Sequence, residues 1–208
     1  MNRFVFSVLV LFAPLASSAS EENLRKFFNE VSTLQADFEQ QVVDETGMTL
    51  EVSKGIFSLS RPGRFRWNYA SSDPDLSLGQ QIVADGSSIF MYDPDLEQVT
   101  QRSLQDALNQ VPSMLLVQSG VNLEEHFSIV DFGLTDGLTW VALKPKDENA
   151  GYQQLLIGFA KGEMRSITLL DGLGNETRLN LSNIQNNIKL SDDVFTFVAP
   201  PDADILSE

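Results

Sequence analysis

Apolar positions recur at three- and four-residue intervals over residues 20–34, where Leu24, Phe27, Phe28, Val31 and Leu34 fall on one face of a helix. Glu21 and Glu22 lie in its first turn, where the helix dipole favours anions. At Leu34 the period drops to two: Leu34, Ala36 and Phe38, then Gln40 and Val42, predict a strand. A turn at 45–47 leads to a second strand over 49–59, in which Gly55 breaks the alternation and predicts a bulge. After a turn at 61–63, Phe65, Trp67 and Tyr69 alternate with Arg64, Arg66 and Asn68. The three aromatics therefore share one face of a strand and the arginines point the other way.

Further on, segments 80–84 and 88–92 flank Asp85-Gly86, a strong two-residue hairpin signal, and a turn at Asp93-Pro94 precedes a strand over 97–101. The middle of the chain changes character. Ser103 and Asp106 predict a helix start before Ala107, Leu108 and Val111, and Pro112 suits the first turn of a second short helix carrying Met114, Leu115, Leu116 and Val117. A helical turn at 122–126 follows. Strands then resume over 127–132, 138–144, 152–159, 163–170 and 177–181, separated by Asp136-Gly137, Lys161-Gly162 and a turn at 172–175.

No internal repeat, low-complexity tract or linker interrupts this pattern, so residues 20–208 read as one domain. Many short strands at near-regular spacing predict a mostly β (α+β) fold, an antiparallel sheet that curls into an open barrel, with short apolar-faced helices to cover one side. Alternation alone is compatible with both a filled core and a lined cavity behind the aromatic strand.

Composition narrows the function. The first nineteen residues stand apart: Arg3 is a short positive region, residues 4–12 are an apolar stretch too short to span a bilayer, and Ser17-Ser18-Ala19 offers small residues for cleavage after Ala19. An exported chain is expected, with residues 1–19 a signal peptide. There is no cysteine, hence no disulfide, thiol nucleophile or lipid-bearing cysteine after the cleavage site, so a soluble periplasmic or secreted protein is expected. The net charge of −15 disfavours nucleic acid and anionic membrane surfaces.

Little here points to catalysis. His126 is the single histidine, which leaves no metal site, and no nucleophile elbow accompanies it; it reads as a surface residue at a helix–strand junction. No local constellation singles out a catalytic pair among the 29 acids. Gly172 and Gly174 lack the strand–turn–helix context of a phosphate loop. No catalytic residue and no cofactor are expected.

Three stretches carry a resemblance: GIFSLSRPGRFRWNYA (55–70), QIVADGSSIFMYDPDLEQVTQR (81–102) and VPSMLL (111–116), supported by LQADFEQ near the start and FTFVAPPDADI near the end. In order and spacing they resemble the LolA family of periplasmic carriers that ferry lipoproteins to the outer membrane. The resemblance implies an open, incomplete barrel whose concave face is closed by a lid of about three short helices over an apolar cavity. It implies acylated lipoproteins as cargo, an inner-membrane ABC transporter as donor, an outer-membrane receptor as acceptor, and a monomer. On this footing Phe65, Trp67, Tyr69, Leu24, Phe28, Phe90, Leu115 and Leu116 are expected at the acyl-chain cavity and its mouth. Arg61, before the proline, matches the family arginine that bonds to the lid and holds the empty form closed. Arg64 and Arg66 depart from the family pattern and are expected outside, unless a bulge at Gly63 shifts the register.

The same half-barrel occurs in periplasmic lipid-sensing regulators, which carry a further domain not expected after Glu208; a lipid-modifying hydrolase is a more distant alternative, tested by assaying ester cleavage. The physical task of a carrier is severe. Roughly three acyl chains of about fifteen methylenes each, at about 0.8 kcal/mol per methylene, cost on the order of 36 kcal/mol to leave in water.

Overall fold

The computed structural model describes residues 19–71, 79–105, 117–118, 120 and 122–207. Helix α1 (Ala19–Glu30) is followed by strands β1 (Thr33–Val43), β2 (Thr49–Ser60), β3 (Arg64–Tyr69), β4 (Gln81–Asp85), β5 (Ser88–Asp93) and β6 (Gln98–Ser103). A short helix α2 (Leu123–His126) leads into β7 (Phe127–Thr135), β8 (Leu138–Pro145), β9 (Tyr152–Ala160), β10 (Glu163–Asp171) and β11 (Glu176–Asn186). A 3₁₀ turn (Asp192–Phe195) and β12 (Asp204–Ser207) complete the described chain. The expected export segment up to residue 18 and the expected helices over 106–116, with Leu115 and Leu116, lie outside the described residues.

The twelve strands among the described residues form one sheet in the linear order β12-β6-β5-β4-β3-β2-β1-β11-β10-β9-β8-β7. Its edges, β12 and β7, do not pair with each other, so the sheet is open, as the sequence predicts. Among the described residues every pairing is antiparallel except one: β12 runs parallel to β6, the chain having crossed to that edge from β11 in the middle of the sheet. No pattern in the sequence predicts this strand or the 3₁₀ turn before it.

Register defines two faces. One row runs Leu34–Leu59–Phe65–Ala84–Ile89 across β1 to β5, and a parallel row runs Ala36–Phe57–Trp67–Ile82–Met91. On the other half of the sheet Leu181, Leu179, Ile167, Ile157 and Val141 continue this inner face. Helix α1 lies over β7 to β10 and buries Leu24, Phe27 and Phe28 in the same apolar cluster. Among the described residues no helix is long and apolar enough to cross a membrane.

Two expectations change. The helix stops at Glu30, four residues before Leu34, because Leu34 satisfies both periods and its backbone pairs with Leu59 in the sheet. Gly55 is not a bulge: the β1–β2 and β2–β3 registers run through it unbroken. It is glycine because the Phe38 ring lies over it. A Cβ there would stand 2.8 Å from Phe38 Cε1 and Cζ and closer still to the Asn68 carbonyl. The bulges fall elsewhere, between Gln35 and Asp37 and between Asp131 and Gly133, for example.

Candidate functional site

Strand β3 carries an aromatic face inward, in the register that alternation predicts, and no bulge at Gly63 disturbs it: Ser60 pairs with Arg64 and Gly55 with Tyr69 without a shift. Phe65 is fully buried among Leu59, Ala84 and Ile89. Trp67 stacks on Phe57 with centroids 4.2 Å apart and meets Phe38 edge-on at 4.9 Å. Tyr69 meets Phe38 edge-on at 5.1 Å. Burial, aided by Glu51, pushes the Tyr69 hydroxyl pKa up. Leu24, Phe28 and Phe65 belong to one apolar cluster, with Trp67 and Tyr69 packed against it. Five of the expected cavity residues thus share one apolar surface, in which Trp67 and Tyr69 are only partly buried.

The end of α1 explains Arg61. A helix leaves its last carbonyls without intrahelical donors, and a cation there is favoured. The last turn of α1 contains no basic residue. Arg61, from the β2–β3 turn, supplies the cation: its Nη1 donates to the carbonyls of Phe27 at 2.8 Å, Phe28 at 3.2 Å and Val31 at 2.6 Å. The guanidinium lies over the Phe27 ring at 4.6 Å and the Phe28 ring at 5.1 Å. Burial lowers its pKa to about 10, which still leaves it charged at neutral pH.

The surrounding turn is tied on both sides. Arg61 N–H donates to the Ser32 carbonyl, and Gly63 N–H donates to the Val117 carbonyl, which brings the segment preceding α2 onto the same turn. Gly63 holds φ at +76°, and Leu104 packs close beside it, so both conformation and space favour glycine. The resemblance implies a lid as the partner of Arg61; the carbonyl acceptors described here are at the end of α1 and just beyond it.

A second feature of this junction was not legible in the sequence. Asn187, just past β11, accepts from Ser32 N–H at 2.9 Å and Ser32 Oγ at 3.1 Å, and donates from Nδ2 to the Glu30 carbonyl at 3.0 Å. A cleft of about 230 Å³ opens beside it, lined in part by Phe27, Val31, Leu34, Met164 and Ile184.

The outer face carries Arg64 and Arg66, as expected, but neither simply faces solvent. The C-terminal segment crosses over them. Arg64 Nη1 pairs with Asp192 Oδ1 at 2.6 Å, and its guanidinium lies 5.3 Å from the Phe195 ring centre. Arg66 donates to the carbonyls of Val194 and Thr196 and, at 2.5 Å, to Oε1 of buried Gln81. The segment buries Phe195 and shields Val83 and Val99, which register places on this outer face.

Phe90 belongs here too. It stands opposite Val83 and Gln101 and stacks on Phe197 with centroids 5.2 Å apart. Its expected place at the acyl-chain cavity is therefore corrected: in β5 it is Ile89 that faces inward, because one residue along a strand reverses the face. His126 sits exposed at the α2–β7 junction, its carbonyl accepting from Lys146 N–H.

Comparison with known proteins gives a consistent result. Residues 29–198 match the family model for the outer membrane lipoprotein carrier protein LolA. An outer-membrane lipoprotein carrier protein of Methylococcus capsulatus is 36% identical over 197 residues, covering 95% of this chain and 92% of the relative. One from Ralstonia nicotianae is 37% identical and covers 93% and 89%. Among solved structures, an uncharacterized conserved protein from Thermus thermophilus shares the fold at a TM-score of 0.56 and 12% identity, covering 92% of this chain and all of the other.

Proposed function

The chain belongs to the LolA family of outer-membrane lipoprotein carriers, and from that premise we propose how its two faces divide the work. The protein is a periplasmic carrier. It reaches the periplasm by export and cleavage after Ala19, takes acylated lipoproteins released by an inner-membrane ABC transporter, and delivers them to an outer-membrane receptor. The acyl chains lie against the inner face built around Phe65, Trp67, Tyr69, Leu24 and Phe28.

The observation that carries this reading is Arg61. A charged guanidinium is buried where the end of α1 meets the turn that also holds Val117. Acyl chains reach this inner face by displacing α1, whose Leu24, Phe27 and Phe28 pack on it. Arg61 opposes that movement, and so stabilises the empty form against the loaded one. A charge-assisted bond contributes about 1.5–3 kcal/mol. Removing that much closed-state stability tightens apparent affinity by roughly ten- to a hundredfold when the closed form dominates the free population.

Arg61→Leu is therefore expected to accept lipoprotein normally and to release it poorly. Loaded carrier is incubated with receptor and the transferred fraction measured over time. Transfer at the wild-type rate would show that Arg61 is not the latch.

A further inference from the structure

We infer that Asn187 is a positioning residue for Arg61: by fixing the chain reversal after α1, it sets the carbonyls that the guanidinium grips, and so tunes how firmly the empty carrier closes. The inference rests on the latch reading of Arg61.

The end of α1 presents a specific difficulty. The chain must leave a helix at Glu30 and enter β1 at Thr33, within which it has neither a glycine nor a basic side chain to satisfy its terminal carbonyls. Arg61 bonds to Phe27, Phe28 and Val31, and the Glu30 carbonyl between them points elsewhere. Asn187 takes that carbonyl with Nδ2 and, with Oδ1 of the same amide, takes Ser32 N–H and Ser32 Oγ. Ser32 in turn gives its carbonyl to Arg61 N–H. The two residues thus grip alternate groups of one reversal, linked through Ser32.

The backbone makes Asn187 suited to this. Its φ is +56°, a left-handed conformation that asparagine tolerates better than most residues. Its own N–H donates to the Thr33 carbonyl, and the Thr33 hydroxyl donates to the Ile188 carbonyl, so the amide is presented from a pinned strand end. If the Glu30 carbonyl were released, the reversal would loosen and the three carbonyls facing Arg61 would no longer be held in common reach.

Two variants separate positioning from mere support. Asn187→Gly accepts the positive φ and deletes the amide. Asn187→Asp keeps the acceptor for Ser32 but replaces the donor to Glu30 by an anionic oxygen that repels its carbonyl. Each is compared with Arg61→Leu and with the Arg61→Leu/Asn187→Gly pair, by titration with the apolar fluorophore bis-ANS and by transfer of loaded lipoprotein to receptor. Arg61→Leu is expected to tighten bis-ANS binding about tenfold or more, and each Asn187 variant by less, roughly two- to tenfold, because its loss reaches the closed form only through Arg61. The pair should bind no more tightly than Arg61→Leu alone, because Asn187 acts through Arg61. A supporting role only would lower the melting temperature without tightening binding.

Wild-type affinity in both Asn187 variants, with Arg61→Leu tightened, overturns the inference and leaves the latch standing. Additive tightening in the pair does the same. Wild-type affinity and transfer in Arg61→Leu overturn both.

Discussion

Between Arg61 and Arg66 the chain sends guanidinium groups to two different surfaces, and the contrast separates a conformational contact from a structural one. Arg61 is buried with its charge against carbonyls at a helix end, so these bonds exist only while α1 and the β2–β3 turn keep their present relation. Arg64 and Arg66, on the outer face, grip the C-terminal segment through an exposed carboxylate and two carbonyls, and Arg66 also holds the buried amide of Gln81 in the neighbouring strand β4. Beneath Arg61 lies the surface proposed to receive cargo; beneath the other two lies a small second core of Val83, Val99 and Phe195. On the proposed reading the first clamp acts on function by resisting opening, and the second contributes stability alone.

The largest expected effect comes from placing a charge on the inner face. Phe65 is 2% exposed, and a buried carboxylate without a partner costs several kcal/mol. Phe65→Glu should lose both lipoprotein loading and several kcal/mol of stability, read by pull-down with the donor transporter and by urea denaturation. Normal loading would remove Phe65 from the cargo surface and blur the distinction between the faces.

An intermediate effect is expected at Arg66. Arg66→Ala strands the side chain of buried Gln81 and frees the Val194 and Thr196 carbonyls, a loss of about 1–3 kcal/mol. The C-terminal segment should become more sensitive to limited proteolysis, while transfer to receptor keeps the wild-type rate. A transfer defect like that expected of Arg61→Leu would mean that the two faces are coupled through β3.

The smallest effect belongs to Arg64. Its partner Asp192 is 89% exposed, and exposed pairs contribute about 0–1 kcal/mol, less as salt rises. Arg64→Ala should shift the urea midpoint only slightly. A loss comparable to that of Arg66→Ala would show that the Phe195 and Ser60 contacts, not the ion pair, make Arg64 a full member of the clamp.

What the sequence determined by itself is the set of relations carried by nearest neighbours. Alternation in a strand is local, so Phe65, Trp67 and Tyr69 opposite Arg64 and Arg66 could be read without knowing what covers either side. In β5 both faces are apolar, Ile89 and Met91 against Phe90 and Tyr92, so alternation alone could not say which turns inward, and the assignment of Phe90 to the cavity rests on the motif. Helical spacing likewise marked Leu24 and Phe28 as buried, although Leu34, apolar in both periods, hid where helix gives way to strand. The resemblance supplied the carrier role and singled out Arg61.

Only the tertiary structure decided who completes each local element. Helix α1 lacks a cation at its end, and its carbonyls are met by Arg61 from the β2–β3 turn and by Asn187 from beyond β11, 157 residues from Glu30. The outer face of β3 gains its cover from a 3₁₀ turn and the residues just after it, which no periodicity announces. A short irregular segment has no repeat for a pattern to detect. Its place is set by the groups left unsatisfied elsewhere, and those become apparent only once the sheet has formed.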